Sequence, residues 1–232
     1  MRRIFFILVS CVFLLGSCKW VSDKLERVPS VVKAADLEHY KNQNKSVDEG
    51  AIVFIGDSFT ENWVQENPDF FLSNNYIGRG IGGQSSSQLL LRFRQDVLDL
   101  KPSVVIINVG TNDIAENIGH YSPQFTLDCI KSMAELADYN GIKVILSSVL
   151  PAGEFWWNPG VSNVPKKIDA LNMQIKAYAD TKGFAYIDYN SSMRDENGAL
   201  IKEYGTDGVH PSKVGYAIME EVVKSVIDKT VQ

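Results

Sequence analysis

Three residues in this chain have the types and spacing of a nucleophile, its base and an orienting acid. Ser58 ends the run Gly56-Asp57-Ser58, directly after a short apolar stretch typical of a strand buried on both faces. Ligands of open α/β sheets bind just beyond the carboxyl ends of the strands. Asp207 precedes His210 by three residues on a glycine-containing loop, so its carboxylate can orient the imidazole. Together these residues fit a serine hydrolase, whereas Asp207 and His210 alone would fit a helix-capping acid beside a surface histidine.

Two further segments could stabilise the negative charge that develops during acyl transfer. Residues 78–84 form a glycine-rich turn between a predicted strand and a predicted helix, where a backbone N–H can approach a ligand closely. Asn112 follows the apolar run 104–109 and offers a side-chain amide at the same edge of the sheet. Each feature also has another interpretation: a glycine-rich turn can hold phosphate, and Asn112 can form a local Asx turn. The turn lacks both the dinucleotide-binding and the P-loop glycine patterns.

The elements that must position these residues alternate along the chain. Apolar runs predict strands at residues 51–55, 75–79, 103–109, 142–148 and 184–188. Amphipathic patterns with capping and stop residues predict helices at 84–98, 122–139, 164–182 and 211–229. The polar segment 31–49 is predicted to form an N-terminal helix. This alternation predicts an α/β fold with a mainly parallel sheet and helices on both faces.

The first residues are typical of an export signal. Arg2 and Arg3 precede an apolar stretch too short for an ordinary membrane span, and residues 15–18 read Leu-Gly-Ser-Cys, which resembles a bacterial lipobox. We therefore expect residues 1–17 to be a signal peptide, Cys18 to be lipidated, residues 18–30 to be a tether and residues 31–232 to be the folded domain. The alternative is a plain secretory signal or an uncleaved anchor.

Charge and cysteine content narrow the possible partners. Removing residues 1–17 would leave 21 Lys plus Arg against 28 Asp plus Glu, so a nucleic-acid partner is not expected. Cys129 would be the single remaining thiol, and its surroundings indicate a buried side chain rather than a nucleophile. His39 and His120 lie in no recognisable metal-ligand spacing, so neither a metal nor another cofactor is expected.

Four segments, in order and spacing, resemble the SGNH (GDSL-type) hydrolase family. They are Gly56-Asp57-Ser58, Gly80-Ile81-Gly82-Gly83, Gly110-Thr111-Asn112-Asp113 and Asp207-Gly208-Val209-His210-Pro211, within residues 51–225. The resemblance implies a flavodoxin-like three-layer α/β/α sandwich with about five strands. It also implies that Ser58 is the nucleophile, His210 the base and Asp207 its orienter. The oxyanion donors would be the N–H groups of Ser58 and Gly83 and the side chain of Asn112, with Gly82 as the fallback.

Two positions depart from the family pattern, and the substrate is less constrained than the chemistry. Phe59 stands where Leu or Ile commonly follows the serine, and Gly78 stands where relatives often carry Asn. Asp57, Gly82, Trp156 and Trp157 are candidate substrate-lining residues, although the two tryptophans could equally pack a long loop.

The sequence most resembles acetylesterases and short-chain acylhydrolases. It predicts a serine ester hydrolase that removes short acyl groups, such as O-acetyl groups on carbohydrates, outside the cytoplasm. The alternatives are a lysophospholipase or thioesterase of the same family, or a non-catalytic glycan-binding lipoprotein.

Overall fold

The computed structural model describes residues 31–231, with side chains from residue 33. Internal contacts divide the chain at Asp36 into two units. In the first unit the described part contains helix α1, Val31–Ala35. The second unit, from Leu37 onward, contains every residue that the sequence analysis proposed for catalysis or substrate contact. The predicted signal peptide, Cys18 and the tether lie outside the described residues.

A five-stranded parallel sheet forms the centre of the second unit. Its strands are β1 (Ile52–Gly56), β2 (Tyr76–Gly80), β3 (Val104–Asn108), β4 (Lys143–Ser147) and β5 (Ala185–Ile187). They lie in the order β2-β1-β3-β4-β5, and every pair is parallel. The β1 residue Gly56 pairs with Gly80 and Asn108, so the carboxyl ends of three strands are level. The predicted α/β fold with five parallel strands is confirmed.

Helices follow the strands and pack around the sheet. They are α2 (Ser58–Glu66), α3 (Pro68–Ser73), α4 (Ser86–Asp96), α5 (Thr111–Ile114), α6 (Pro123–Tyr139), α7 (Val164–Lys182), α8 (Tyr189–Met193) and α9 (Lys213–Val231). Short 3-10 turns occur at Gln43–Ser46, Leu98–Leu100 and Lys202–Tyr204. The four predicted long helices correspond to α4, α6, α7 and α9, within about two residues at most ends.

One prediction of local structure was wrong, and four short helices were missed. The predicted helix over residues 31–49 is instead the five-residue α1 and a 3-10 turn, because Asp36 adopts a left-handed φ of 52° that ends the helix. The short helices α2, α3, α5 and α8 were not predicted. In α2 the buried Phe59 and Trp63 are spaced by four residues, which is a helical signal, but a single such pair is weak beside the strong strand pattern that precedes it.

An aromatic cluster fixes helix α2 against the sheet. The buried ring of Trp63 stacks on Tyr216 of α9 at 5.6 Å and meets Phe54 of β1 edge-on at 5.7 Å. The Tyr216 hydroxyl donates to the backbone oxygen of Phe59 at 3.0 Å. Aromatic pairs of this kind contribute beyond their buried area. The cluster therefore holds the first turn of α2, where Ser58 lies.

Candidate active site

Ser58 is the first residue of helix α2, immediately after strand β1. Asp57 caps this helix, because its Oδ1 accepts the N–H of Phe59 at 3.0 Å. The first N–H groups of a helix have no intrahelical acceptor, and the helix dipole favours negative charge at this end. The N–H of Ser58 is one of these groups. The nucleophile candidate is thus placed at a helix N-terminus suited to a developing oxyanion.

Ser58, His210 and Asp207 form one continuous hydrogen-bonded chain. The Ser58 Oγ lies 3.0 Å from His210 Nε2, and His210 Nδ1 lies 2.8 Å from Asp207 Oδ2. Asp207 Oδ1 accepts the backbone N–H groups of Val209 and His210 at 3.0 and 2.8 Å. Partial burial raises the pKa of Asp207, but the hydrogen bonds from His210 and Val209 outweigh it and the pKa is lowered. A charged Asp207 makes Nδ1 the donor, so Nε2 is left to accept the serine proton.

The glycine turn after β2 lies beside Ser58. A Cβ added at Gly82 would come within 3.8 Å of the Ser58 Cβ. The N–H of Gly82 is already donated to Glu61 Oε2 at 2.8 Å, which makes the fallback donor less suitable. Gly83 has a φ of 75°, open space around it, and no acceptor for its N–H among the described residues. Of the two, Gly83 is therefore the better candidate for an oxyanion donor.

Asn112 lies in the first turn of α5, after β3, and its amide is fully engaged. Its Nδ2 donates to Asp57 Oδ2 at 3.1 Å and to the backbone oxygen of Gln84 at 3.0 Å. Its Oδ1 accepts from Asn117 Nδ2 at 2.7 Å. A substrate oxyanion would have to share an N–H with one of these acceptors. Sequence reasoning identified Asn112 but gave no sign of Asn117, because the partner depends on a side-chain direction beyond the motif.

Asp57 is fully buried between helix α2 and Asn112. Its two oxygens accept from Phe59 and Asn112. Burial, with a smaller contribution from the charge of Asp113, raises its pKa to about 7, although the hydrogen bonds from Phe59 and Asn112 oppose this shift. As a buried residue it cannot line the substrate as the sequence analysis suggested.

A second buried carboxylate, to which the sequence analysis gave no role, ties the glycine turn to α5. Asp113 accepts the N–H and the hydroxyl of Ser86 at 2.9 and 2.6 Å, and the hydroxyl of Thr126 at 3.1 Å. Burial raises its pKa, although these hydrogen bonds oppose the shift. Because Ser86 begins α4 directly after the turn, Asp113 fixes the turn relative to Asn112.

The buried guanidinium of Arg92 holds the strand ends that carry the site. It donates to the backbone oxygens of Gly56 and Arg79 at 2.8 and 2.9 Å, and to the Gln84 side chain at 2.7 Å. It also pairs with the buried Asp96 at 3.0 Å. Four acceptors satisfy one buried cation, as buried charges require. The site therefore rests on a polar support that the sequence motifs do not reveal.

Trp156 and Trp157 lie in the loop between β4 and α7, at the edge of the site. Trp156 is 63% exposed, and its Nε1 donates to Asp207 Oδ2 at 3.2 Å. The Trp157 ring lies 6.3 Å from the His210 ring, and its Nε1 donates to Asn117 Oδ1 at 2.9 Å. The fully buried Phe155 anchors the loop. Sequence analysis identified both tryptophans, but not these hydrogen bonds.

Other chemistry-bearing residues lie away from this constellation. Cys129 is buried, and burial raises its pKa, in keeping with a packing role. In the described part of the chain, no three His, Cys, Asp or Glu side chains are grouped so that they could hold a metal ion. Within residues 31–231, no helix combines the length and apolar character that a membrane crossing requires.

Comparison with known proteins defines the class of this chain. Residues 54–218, more than half of the chain, match the sequence model of the GDSL-like Lipase/Acylhydrolase family. The chain belongs to this family. The predicted class, an ester hydrolase of the SGNH (GDSL) type, is thereby confirmed.

Individual relatives give more detail. A GDSL-like lipase from Bacteroides thetaiotaomicron superposes with a TM-score of 0.83 at 48% identity, over 84% of this chain and 98% of that one. An acetylxylan esterase of Xylanibacter ruminicola is 24% identical over 151 residues, 57% of this chain and 30% of that protein. The uncharacterized lipoprotein YqeF of Bacillus subtilis is 38% identical over 78 residues, 32% of each chain. The matches thus span about a third of the length of these two curated relatives.

Proposed function

We propose that this chain is a serine esterase that removes short acyl groups, chiefly O-acetyl groups on carbohydrates, through an acyl-enzyme on Ser58. The observation that carries the proposal is the chain of hydrogen bonds from Ser58 through His210 to Asp207, at 3.0 and 2.8 Å. A hydroxyl, a base and an orienting carboxylate in this order fit nucleophilic acyl transfer.

In the proposed cycle, Ser58 Oγ attacks the ester carbonyl while His210 Nε2 takes its proton. Asp207 stabilises the imidazolium that forms. The N–H groups of Ser58 and Gly83 and the amide of Asn112 receive the charge on the carbonyl oxygen. His210 then returns the proton to the departing alcohol. Water attacks the acyl-enzyme with His210 again as base, which releases the acid and restores Ser58.

Three observations support a short acyl group and a sugar alcohol. One relative is named an acetylxylan esterase. Trp156 and Trp157 present aromatic rings beside His210 and Asp207, and such rings can stack on sugars. An open groove of about 420 Å³ adjoins Asp207 and mixes polar and apolar lining, which suits a sugar better than a long acyl chain. Its lining residues are Gly153, Glu154, Trp156, Ala199, Leu200, Asp207 and Gly208.

We further propose that the enzyme acts outside the cytoplasm, anchored to a membrane by lipid on Cys18. The lipobox-like residues 15–18 and the lipoprotein relative support this location. Incorporation of labelled fatty acid into the full chain, abolished by Cys18→Ser and retained by Cys129→Ser, is the expected result. Equal labelling of the wild type and Cys18→Ser would refute the anchor.

The reaction is tested with a panel of esters. We expect the full-length protein to release acetate from acetylated xylooligosaccharides and from p-nitrophenyl acetate, and to lose both activities with Ser58→Ala. A preference for long acyl chains would refute the substrate class and indicate a lysophospholipase or thioesterase. Fluorophosphonate labelling that Ser58→Ala abolishes would separate an enzyme from a glycan-binding protein.

A further inference from the structure

The two adjacent tryptophans of the β4–α7 loop form hydrogen bonds to two different parts of the candidate active site. The Trp156 N–H donates to Asp207, the acid of the triad, at 3.2 Å. The Trp157 N–H donates to Asn117 at 2.9 Å, and Asn117 donates to Asn112 at 2.7 Å. One short loop therefore bonds directly to the acid that orients the base and, through Asn117, is linked to the amide that would receive the oxyanion.

The Trp156 bond completes the set of donors around Asp207. Oδ1 of this carboxylate already accepts two backbone N–H groups, whereas Oδ2 accepts, among the described residues, only His210 Nδ1 and the indole of Trp156. The indole can only donate, so it favours the charged carboxylate and restrains its rotation about the bond that aims Oδ2 at the imidazole. Removing the N–H leaves His210 as the single donor to Oδ2 in the described part of the chain.

The Trp157 bond sets the direction of two amides in series. An indole N–H must meet an oxygen, so Asn117 turns its Oδ1 toward Trp157 and its NH₂ toward Asn112. Asn112 must then present Oδ1 to Asn117 and its NH₂ to Asp57 and Gln84. This series of hydrogen bonds begins at the Trp157 N–H, which can only donate, and ends at the oxygens of Asp57 and Gln84, which accept. Trp157 thereby reinforces, from the Oδ1 side, the orientation of Asn112 that the Gln84 oxygen requires from the NH₂ side.

We propose that Trp156 and Trp157 are positioning residues, acting through their indole N–H groups on Asp207 and, by way of Asn117, on Asn112. The inference rests on the proposed function, because it takes Asp207 and Asn112 as parts of the catalytic machinery. It assigns the tryptophan pair a role in the acyl-transfer step that is separate from any stacking on a sugar.

The variants Trp156→Phe and Trp157→Phe test this role, because phenylalanine keeps an aromatic ring and removes only the donor. On p-nitrophenyl acetate, which carries no sugar, we expect kcat to fall about 3- to 10-fold in each variant, the usual worth of one hydrogen bond, with KM within about twofold. Tyr178→Phe is the matched control. It also removes a donor from a carboxylate, Glu135, but on the remote α6 and α7 helices, and kcat should not change.

Two further readouts separate positioning from general weakening of the fold. The downfield proton resonance of the His210–Asp207 bond should shift in Trp156→Phe by more than the ring-current change that Trp157→Phe produces from 6.3 Å, and this readout needs no substrate. Trp157→Phe should cost nothing more once Asn117 is alanine, because the tryptophan acts through that residue.

The outcomes are distinct for the two proposals. If both Phe variants keep the wild-type kcat, or change only KM for acetylated sugars, the positioning role is refuted while the esterase proposal stands. If Ser58→Ala is as active as the wild type, the esterase proposal fails. In that case an unshifted resonance in Trp156→Phe would also refute the Trp156 bond itself.

Discussion

Gly80 lies where helix α2 crosses strand β2, and its substitution should displace Ser58, the proposed nucleophile. A Cβ at this position would lie 2.2 Å from the N atom of Glu61 and 2.7 Å from the backbone oxygen of Asp57. Contacts below 3.0 Å are essentially never seen for real Cβ atoms, so the backbones must separate by about 0.8 Å. Both clashing atoms belong to the first turn of α2 or its cap, so the movement falls on the segment that carries Ser58.

The expected cost of Gly80→Ala follows from that displacement. Misplacing a reacting group by about 1 Å can cost about 100-fold in rate, so kcat on p-nitrophenyl acetate should fall by roughly that factor. Overpacking should lower the free energy of unfolding by about 1–3 kcal/mol, because backbone atoms rather than a flexible side chain must move. Steady-state kinetics on freshly purified protein measures the fall in kcat, and urea unfolding measures the fall in the free energy of unfolding.

Gly141→Ala is the control for Gly80→Ala. Gly141 has a φ of 75° and open space around it, so alanine there should cost about 1 kcal/mol of backbone strain and leave kcat unchanged. If Gly80→Ala retains the wild-type kcat while its unfolding free energy falls, the close approach at Gly80 stabilises the fold without positioning Ser58. That result would refute the proposed link between the Gly80 contact and the position of Ser58.

Three other substitutions probe the support of the site. Asn112→Ala should lower kcat about 10²- to 10³-fold with little change in KM, and an unchanged kcat would remove it from the oxyanion site. Because burial raises the folded pKa of Asp57 from 3.8 to about 7, the stability it contributes below pH 3.8 is lost as the pH rises toward 7. Asp57→Asn should reduce this pH-dependent decline in the free energy of unfolding by up to about 4 kcal/mol, measured by urea unfolding across the pH range. An unaltered pH dependence would contradict the raised pKa of Asp57. Arg92→Met should cost about 3–5 kcal/mol by leaving Asp96 unpaired, whereas the same change at the exposed Arg94 should cost under about 0.5 kcal/mol; equal losses would count against the buried pair.

Long periodic segments were predictable from the sequence because their patterns are local. The four long helices carry caps or stops that act within one turn, such as Ser122 accepting the N–H of Phe125 and Gly183 in the left-handed region. The strands were predictable because each is a short apolar run between polar turns. The short helices were missed because four to nine residues give too little periodicity to compete with the neighbouring strand or turn signal.

In the candidate site, too, the interactions that are local in sequence could be predicted and those between separate elements could not. Residues within one loop, such as Asp207 and His210, could be paired from their spacing, and the strand ends predicted that Ser58 would lie near the glycine turn. Asn117, Glu61 and the indole bonds could not be predicted, because each depends on the direction of a side chain from a separate element. The hydrophobic periodicity of a sequence predicts helices and strands, but not the direction of a single polar side chain.

Asp57 is the buried carboxylate that joins helix α2 to Asn112. One of its oxygens caps α2 through the Phe59 N–H, and the other accepts the Asn112 amide. The helix that carries Ser58 and the amide proposed for the oxyanion are therefore fixed by the same buried carboxylate. Burying that group raises its pKa to about 7, which is a cost to stability near neutral pH. Retaining a costly group at the junction of the two elements is what we expect if their relative position determines the chemistry.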